Sequence, residues 1–318
     1  MGPIVGEGDA EAAAKDWLSG LADAGASEGT ITSYGSGLAR WFAFCMDRGI
    51  DPLAAEVSDV DAYVAVLSEP RTFPGRNWKE KPLAVATQRH RLTVLRRWYD
   101  FLTEMNLCQR HPVLGSFARH AERVSEDKRC RLPRKSRELP WIPTDEQWQR
   151  LVKVVARDGP RSRLMLALHY DTAVSVPELC ALDHHDVDIS KGVLRVRSTP
   201  GSRLTPRVLP FSATTATVHT QYLAARGGPV VADGPLFLSE SRRNHGHAIT
   251  ASTWRGAAAR LGGKAGLPRA FTADTIRHLR LVHLAKAGMD LLDVMTFAGL
   301  THPSSVRIYY ELAGFWPR

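Results

Sequence analysis

Cysteine is scarce in this 318-residue chain, and the little there is excludes two scaffolds at once. Cys45, Cys108, Cys130 and Cys180 are scattered, with no Cys-x-x-Cys pair and no Cys/His cluster at zinc spacing, so neither a disulfide framework nor a metal site is expected. No stretch approaches the ~20 consecutive apolar residues of a membrane span. The opening MGPIVGEGDAEAAAKDWL has no basic start followed by an apolar core, and Gly6 stands where a myristoylation signal needs Ser or Thr. A cytoplasmic protein with no membrane partner is the expectation. Internal repeats and low-complexity tracts are missing as well, and so is any excess of acid.

What is present is base. Lys and Arg number 42 against 33 Asp and Glu, a net charge of +9. Such a balance favours a polyanionic partner, nucleic acid before membrane, although solubility alone also accounts for it. With 44% hydrophobic residues the chain has material for two cored domains.

Residues 1–109 read as a helical domain. Leu18, Leu21 and Ala22 mark one helix. Ile31, Tyr34, Leu38, Trp41, Phe42 and Cys45 form a stripe behind a capping Thr30, and Ser58 caps a third helix. After a Pro/Gly loop over 69–82, a long helix runs from Val85 to Met105. Its apolar face holds Leu92, Leu95, Trp98, Tyr99 and Leu102, and its other face offers Arg89, Arg96 and Arg97, either for duplex phosphates or simply for water. Residues 110–140 form a basic linker in which Arg129 and Arg131 are further candidates for phosphate contact.

Residues 141–318 read as mostly helical with a small sheet. Thr144 to Gln147 and Ser175 to Glu178 are capping boxes, the second with proline in its first turn. Val193 to Arg197 and Val208–Leu209, around a Pro/Gly turn, read as a β-hairpin. The stretch TADTIRHLRLVHLAKAGMDLLDVMTFAGLTHPSSVRIYYEL reads as three short helices: one from a capping Thr272 to Gly288, one from Asp290 to Gly299, and one opened by Ser304 or Ser305. The last lies so near the end of the sequence that few contacts are expected to hold it. Arg277 lies inside an apolar helical stripe and calls for an anion, a phosphate or a carboxylate such as Glu178.

In this last stretch Arg277 is followed by His278, an Ala-Gly pair precedes Asp290, and another precedes Leu300. Tyr309 falls nine residues after Leu300 and 32 after Arg277. This ordered set resembles the C-terminal half of the tyrosine recombinase (phage integrase) catalytic domain. Upstream, DTAVSVPELCALDHHDVDI is similar to the family's T-G-L-R-x-x-E-L block, with Thr172, Glu178, Leu179, Leu182 and Asp186 in place. The N-terminal layout, with Thr30 and Tyr34 and a late helix rich in arginine and aromatics, resembles the family's core-binding (SAM-like) domain.

The resemblance implies a mainly α protein made of a helical core-binding domain and an α+β catalytic domain. It also implies a chemistry without metal or cofactor. A tyrosine attacks a DNA phosphodiester to give a 3′-phosphotyrosine and a 5′-hydroxyl. Two arginines hold the non-bridging oxygens, a hairpin lysine protonates the leaving oxygen, and histidine or tryptophan side chains position the phosphate. Position by position, Tyr309 matches the nucleophile and Arg277 the second arginine. The other four positions are substituted. Ser175 replaces the first arginine, Thr199 the hairpin lysine, Asp274 the first histidine and Leu300 the later His/Trp.

His278, Arg280, His302 and Arg203 are candidates for compensation, and Tyr310 is a neighbour able to stand in for Tyr309. Ser175 is equally explained as a helix cap, Asp274 as a first-turn acid, Leu300 as core, and both tyrosines as packing residues. Three readings stay open. One is a DNA-binding, integrase-like protein of site-specific recombination or integration, catalytically impaired and working with double-stranded DNA and other recombinase subunits. Another is an active recombinase that forms a phosphotyrosine through Tyr309. The third is a helical interaction protein without DNA binding.

Overall fold

The computed structural model describes residues 7–68, 71–72, 79–80, 83–113, 139–197, 206–226 and 234–315. Its contacts divide the chain into two compact units, Met1–Arg137 and Glu138–Arg318.

The first unit is built from α1 (Glu7–Asp23), α2 (Glu28–Arg48), α3 (Val57–Ser68) and α4 (Val85–Glu104), with a minimal antiparallel pair, β1 (Arg71–Thr72) and β2 (Lys79–Glu80), between the last two helices. Trp41, Tyr63, Trp98 and Tyr99 are fully buried at its centre, each removing a large apolar surface from water. The Tyr99 hydroxyl is satisfied there, donating to the Pro52 carbonyl at 2.7 Å and accepting from Trp41 Nε1 at 3.2 Å.

Two caps in this unit differ from expectation. Ser27, not Thr30, caps α2: its Oγ accepts from the Thr30 amide, which places Thr30 inside the first turn. Ser58 likewise lies within α3, whose start is braced by Asp59 accepting from the Glu56 amide at 2.8 Å.

The second unit runs α5 (Asp145–Val155), α6 (Pro160–Thr172), α7 (Val176–Cys180), a 3₁₀ turn (His184–Asp186), β3 (Val187–Asp188), β4 (Val193–Val196), β5 (Arg207–Pro210), α8 (Ala213–Arg226), α9 (Ala251–Lys264), α10 (Ala273–Lys286), α11 (Leu291–Ala298) and α12 (Pro303–Ala313). The expected hairpin gains β3 at its edge, giving a three-stranded antiparallel sheet in the order β3-β4-β5. On β5 the burial alternates, with Arg207 and Leu209 inward and Val208 and Pro210 outward.

One core gathers α5, α6, α7, α9 and the sheet around Leu164, Phe237 and Trp254. A second, around Leu281, Val294, Val306 and Tyr309, joins α10, α11 and α12. The chain is therefore mainly helical with one small sheet. Among the described residues no helix is long and apolar enough to cross a membrane.

Candidate active site

Arg277 sits near the middle of α10, 8% exposed, on a face shared with Ala273, Leu281 and Leu284. The sequence called for an anion beside it. The structure supplies two carbonyls instead. Nη1 donates to the Ala173 carbonyl and Nη2 to the Ala298 carbonyl at 2.7 Å. Ala173 can offer its oxygen there because it ends α6 in the left-handed conformation, φ 47°, which few non-glycine residues adopt. Burial lowers the guanidinium from its ordinary range, and the Tyr309 side chain is the neighbour that most opposes this.

Glu178, the carboxylate expected to serve Arg277, belongs to Arg207. The two form a buried bidentate pair, Nη1 to Oε1 at 2.8 Å and Nη2 to Oε2 at 3.1 Å, while Arg207 Nε donates to the Phe297 carbonyl at 2.9 Å. Burial works to raise the Glu178 carboxyl, but Arg207 and the Ser175 bonds together hold it below its usual value. Arg207 is not among the site candidates drawn from the sequence. The signal for its role was its place in strand alternation: an inward arginine on β5 requires a buried acceptor. Gly299, φ +68°, closes over this pair so tightly that a Cβ there would lie 2.7 Å from Arg207 Nη1.

Ser175 caps α7. Its hydroxyl accepts from the Glu178 amide, and Glu178 Oε2 accepts from the Ser175 amide at 2.7 Å. A hydroxyl engaged in this way carries no charge toward an anion.

The helix α12 is well held, contrary to the expectation of few contacts. Val306 and Tyr309 are buried, Arg307 pairs with Glu311 at 3.1 Å, and the Tyr310 hydroxyl donates to the Met289 carbonyl at 2.5 Å. Pro303 opens the helix, with His302 at the cap, so neither Ser304 nor Ser305 does. Tyr309 faces α10, and its hydroxyl lies 3.0 Å from His278 Nδ1. Burial raises the phenol, with Arg277 opposing; burial and then the Arg277 charge lower the imidazole. The result is a protonated phenol against a neutral histidine, next to a guanidinium.

The remaining positions scatter. Asp274 Oδ2 lies 3.5 Å from Arg255 Nε on α9, a partner the sequence did not suggest. Leu300 is partly buried against the α10–α12 core. His302 is exposed. Arg280 stacks over the Tyr170 ring at 5.3 Å, where Tyr170 also bonds His283 Nδ1 at 2.7 Å. Tyr310, tied to Met289, faces away from His278. Thr199, Arg203, Arg129 and Arg131 lie outside the described residues. On α4, Arg96 is 3.9 Å from Asp100, and Arg97 lies 6.0 Å from the Tyr34 ring; Arg89 is half-buried.

The phage integrase family model matches residues 143–314. The tyrosine recombinase XerA of Pyrococcus furiosus is 31% identical over 185 residues, 58% of this chain and 62% of that protein, so the chain spans less than two thirds of that relative's length. The tyrosine recombinase XerD of Shewanella oneidensis is 24% identical over 298 residues, 91% of this chain and 88% of that one. Among solved structures, the Tn1549 transposon integrase in complex with a circular intermediate DNA superposes with a TM-score of 0.68 at 18% identity, covering 94% of each chain. At that identity the likeness is one of fold.

Proposed function

Because the chain belongs to the phage integrase family, we propose that it binds duplex DNA and acts in site-specific recombination or integration, with an impaired cleavage site and alongside a competent recombinase subunit. The observation that carries this is the partial commitment of Arg277: each terminal nitrogen already gives one of its two N–H groups to a carbonyl, that of Ala173 or of Ala298. A phosphodiester undergoing attack accumulates negative charge, and stabilising it takes preorganised donors aimed at the non-bridging oxygens. Here Ser175, Asp274 and Leu300 provide none, and losing a single such donor costs on the order of 3 kcal/mol. The net charge of +9 supports the DNA-binding half of the reading.

One observation favours a second reading, an active enzyme. With Tyr309 3.0 Å from His278, the phenol could attack phosphorus while its proton passes to Nδ1. The new O–P bond would replace the P–O5′ bond, and the leaving oxygen would still need a proton. A nicked suicide duplex separates the two readings. No covalent adduct with the protein alone, and an adduct once a competent subunit is added, supports the first. An adduct from the protein alone that vanishes in Tyr309→Phe establishes the second. A gel shift over a salt series tests both against a helical interaction protein: binding that is absent at low salt, or insensitive to added salt, overturns the DNA reading.

A further inference from the structure

Trp254 and Arg255 are neighbours on α9 that point different ways. Trp254 is buried and donates from Nε1 to His169 Nδ1 at 3.3 Å, pinning the first turns of α9 to α6. Arg255 turns outward, and its guanidinium reaches the first turn of α10, where Nε comes within 3.5 Å of Asp274 Oδ2. Asp274 is one helical turn before Arg277, and its charge acts on both Arg277 and His278. Arg255 in turn acts on the buried His169 and on Cys180, and His169 also feels Arg277 and His278. Asp274 lies four residues before His278 on α10, and His278 Nδ1 is 3.0 Å from the Tyr309 hydroxyl, so the Arg255–Asp274 pair lies one helical turn from that contact.

An acid in this place opposes the proposed function unless it is neutralised. Two like charges this close to one another at a protein surface repel. Arg255 cancels that charge while remaining available. The contact is made through Nε, the side chains are 47% and 44% exposed, and among the described residues no bond to either terminal nitrogen of Arg255 is found. Exposed pairs of this kind contribute little stability. The outward edge of the guanidinium, Nη1 and Nη2, is the fork that suits two oxygens of one phosphate.

We propose that Arg255 is a phosphodiester-contacting residue at this site, with Asp274 as the counter-ion that holds its guanidinium in place until DNA arrives. This rests on the DNA-binding reading given above. It goes further by assigning a contact to Arg255, an exposed cation paired with Asp274 one helical turn before His278.

The test is a salt-titrated gel shift of duplex DNA with the full chain, comparing wild type, Arg255→Gln, Arg255→Lys and Arg260→Gln, with thermal midpoints recorded for each. Arg260 is the control, since it is equally exposed on the same helix and paired with Asp158 at 2.9 Å. Arg255→Gln is expected to weaken binding several-fold and to reduce the log–log salt slope by about one, with an unchanged midpoint. Arg255→Lys is expected to keep the slope and recover only part of the affinity. Arg260→Gln is expected to bind as wild type does. Equal behaviour of the two glutamine variants, or a wild-type slope in Arg255→Gln, overturns the assignment and leaves DNA binding standing. Failure of the wild type to bind overturns both.

Discussion

His278 Nδ1 and the Tyr309 hydroxyl face each other at 3.0 Å across α10 and α12, and each is held in the protonation state that lets the bond carry a proton from phenol to imidazole. With burial and Arg277 both lowering its affinity for a proton, His278 remains a neutral acceptor below the pH at which a free histidine charges.

Any cleavage the chain retains, alone or with a partner subunit, should therefore depend on this pair. A positioned base contributes roughly 10²–10⁴ in rate, so His278→Ala should slow adduct formation on a nicked duplex by about a hundredfold or more, and Tyr309→Phe should abolish it. The acid limb of the rate should lie below the pH range in which a free histidine charges, because burial and Arg277 lower the imidazole. A limb above that range would remove His278 as the acceptor. Denaturing gels of the covalent product give both readings.

The buried His169 makes stability depend on acid in a defined direction. Burial, and then Arg277, push its pKa down to about 3, so the folded protein binds fewer protons than the unfolded chain between that value and 6.5. Stability is full above 6.5 and falls as pH drops, by at most about 1.4 kcal/mol per pH unit in this window. Urea denaturation at pH 7, 6 and 5 should show the loss. His169→Gln, which keeps an acceptor for Trp254, should flatten it.

Gly299 is expected to tolerate no side chain. An alanine there would take up a left-handed backbone, a cost of roughly 1–2 kcal/mol, and its Cβ would push Arg207 off Glu178. Breaking a buried ion pair by removing one partner costs about 3–5 kcal/mol. Chemical denaturation should place Gly299→Ala and Glu178→Ala both well below wild type, with a double variant less destabilised than their sum because they disrupt the same contact.

Adding a positive charge at position 175 tests whether a missing donor limits cleavage. Ser175→Arg gives up a helix cap, about 1 kcal/mol of stability, and adds a guanidinium at the start of α7. If a missing donor limits cleavage, adduct yield on the nicked duplex should rise about tenfold over wild type, a fraction of what such donors contribute. An unchanged yield with an intact fold would locate the limitation elsewhere.

Much of the layout was legible from local chemistry. Thr272, Gly288, Asp290 and Gly299 punctuate α10 and α11 at the expected places, and the capping boxes at Thr144 and Ser175 form as written. What the sequence concealed was pairing at a distance. Ala173 and Ala298, which receive Arg277, are separated from it by 104 and 21 positions, and backbone carbonyls leave no mark in residue type. Arg207 precedes the Val208–Leu209 pair that marked the strand, and only strand alternation turns it inward. Asp274 read as a substituted histidine position or a first-turn acid, and its partner Arg255 lies on another helix. Ser27 and Thr30 both offer hydroxyls to α2, and only the backbone path decides which one caps it.

The neighbouring phenols of α12 divide two tasks between them. Successive helical residues point roughly 100° apart, so when Tyr309 turns in toward His278, Tyr310 is directed at Met289 and bolts the helix to the turn before α11. Withdrawing the Tyr309 hydroxyl from His278 by moving the helix would mean unfastening the second ring too. The latch thus ties exposure of the Tyr309 hydroxyl to a separate event some distance along the surface, and loosening that fastening, as in Tyr310→Phe, is a way to free Tyr309 without touching His278 or Arg277.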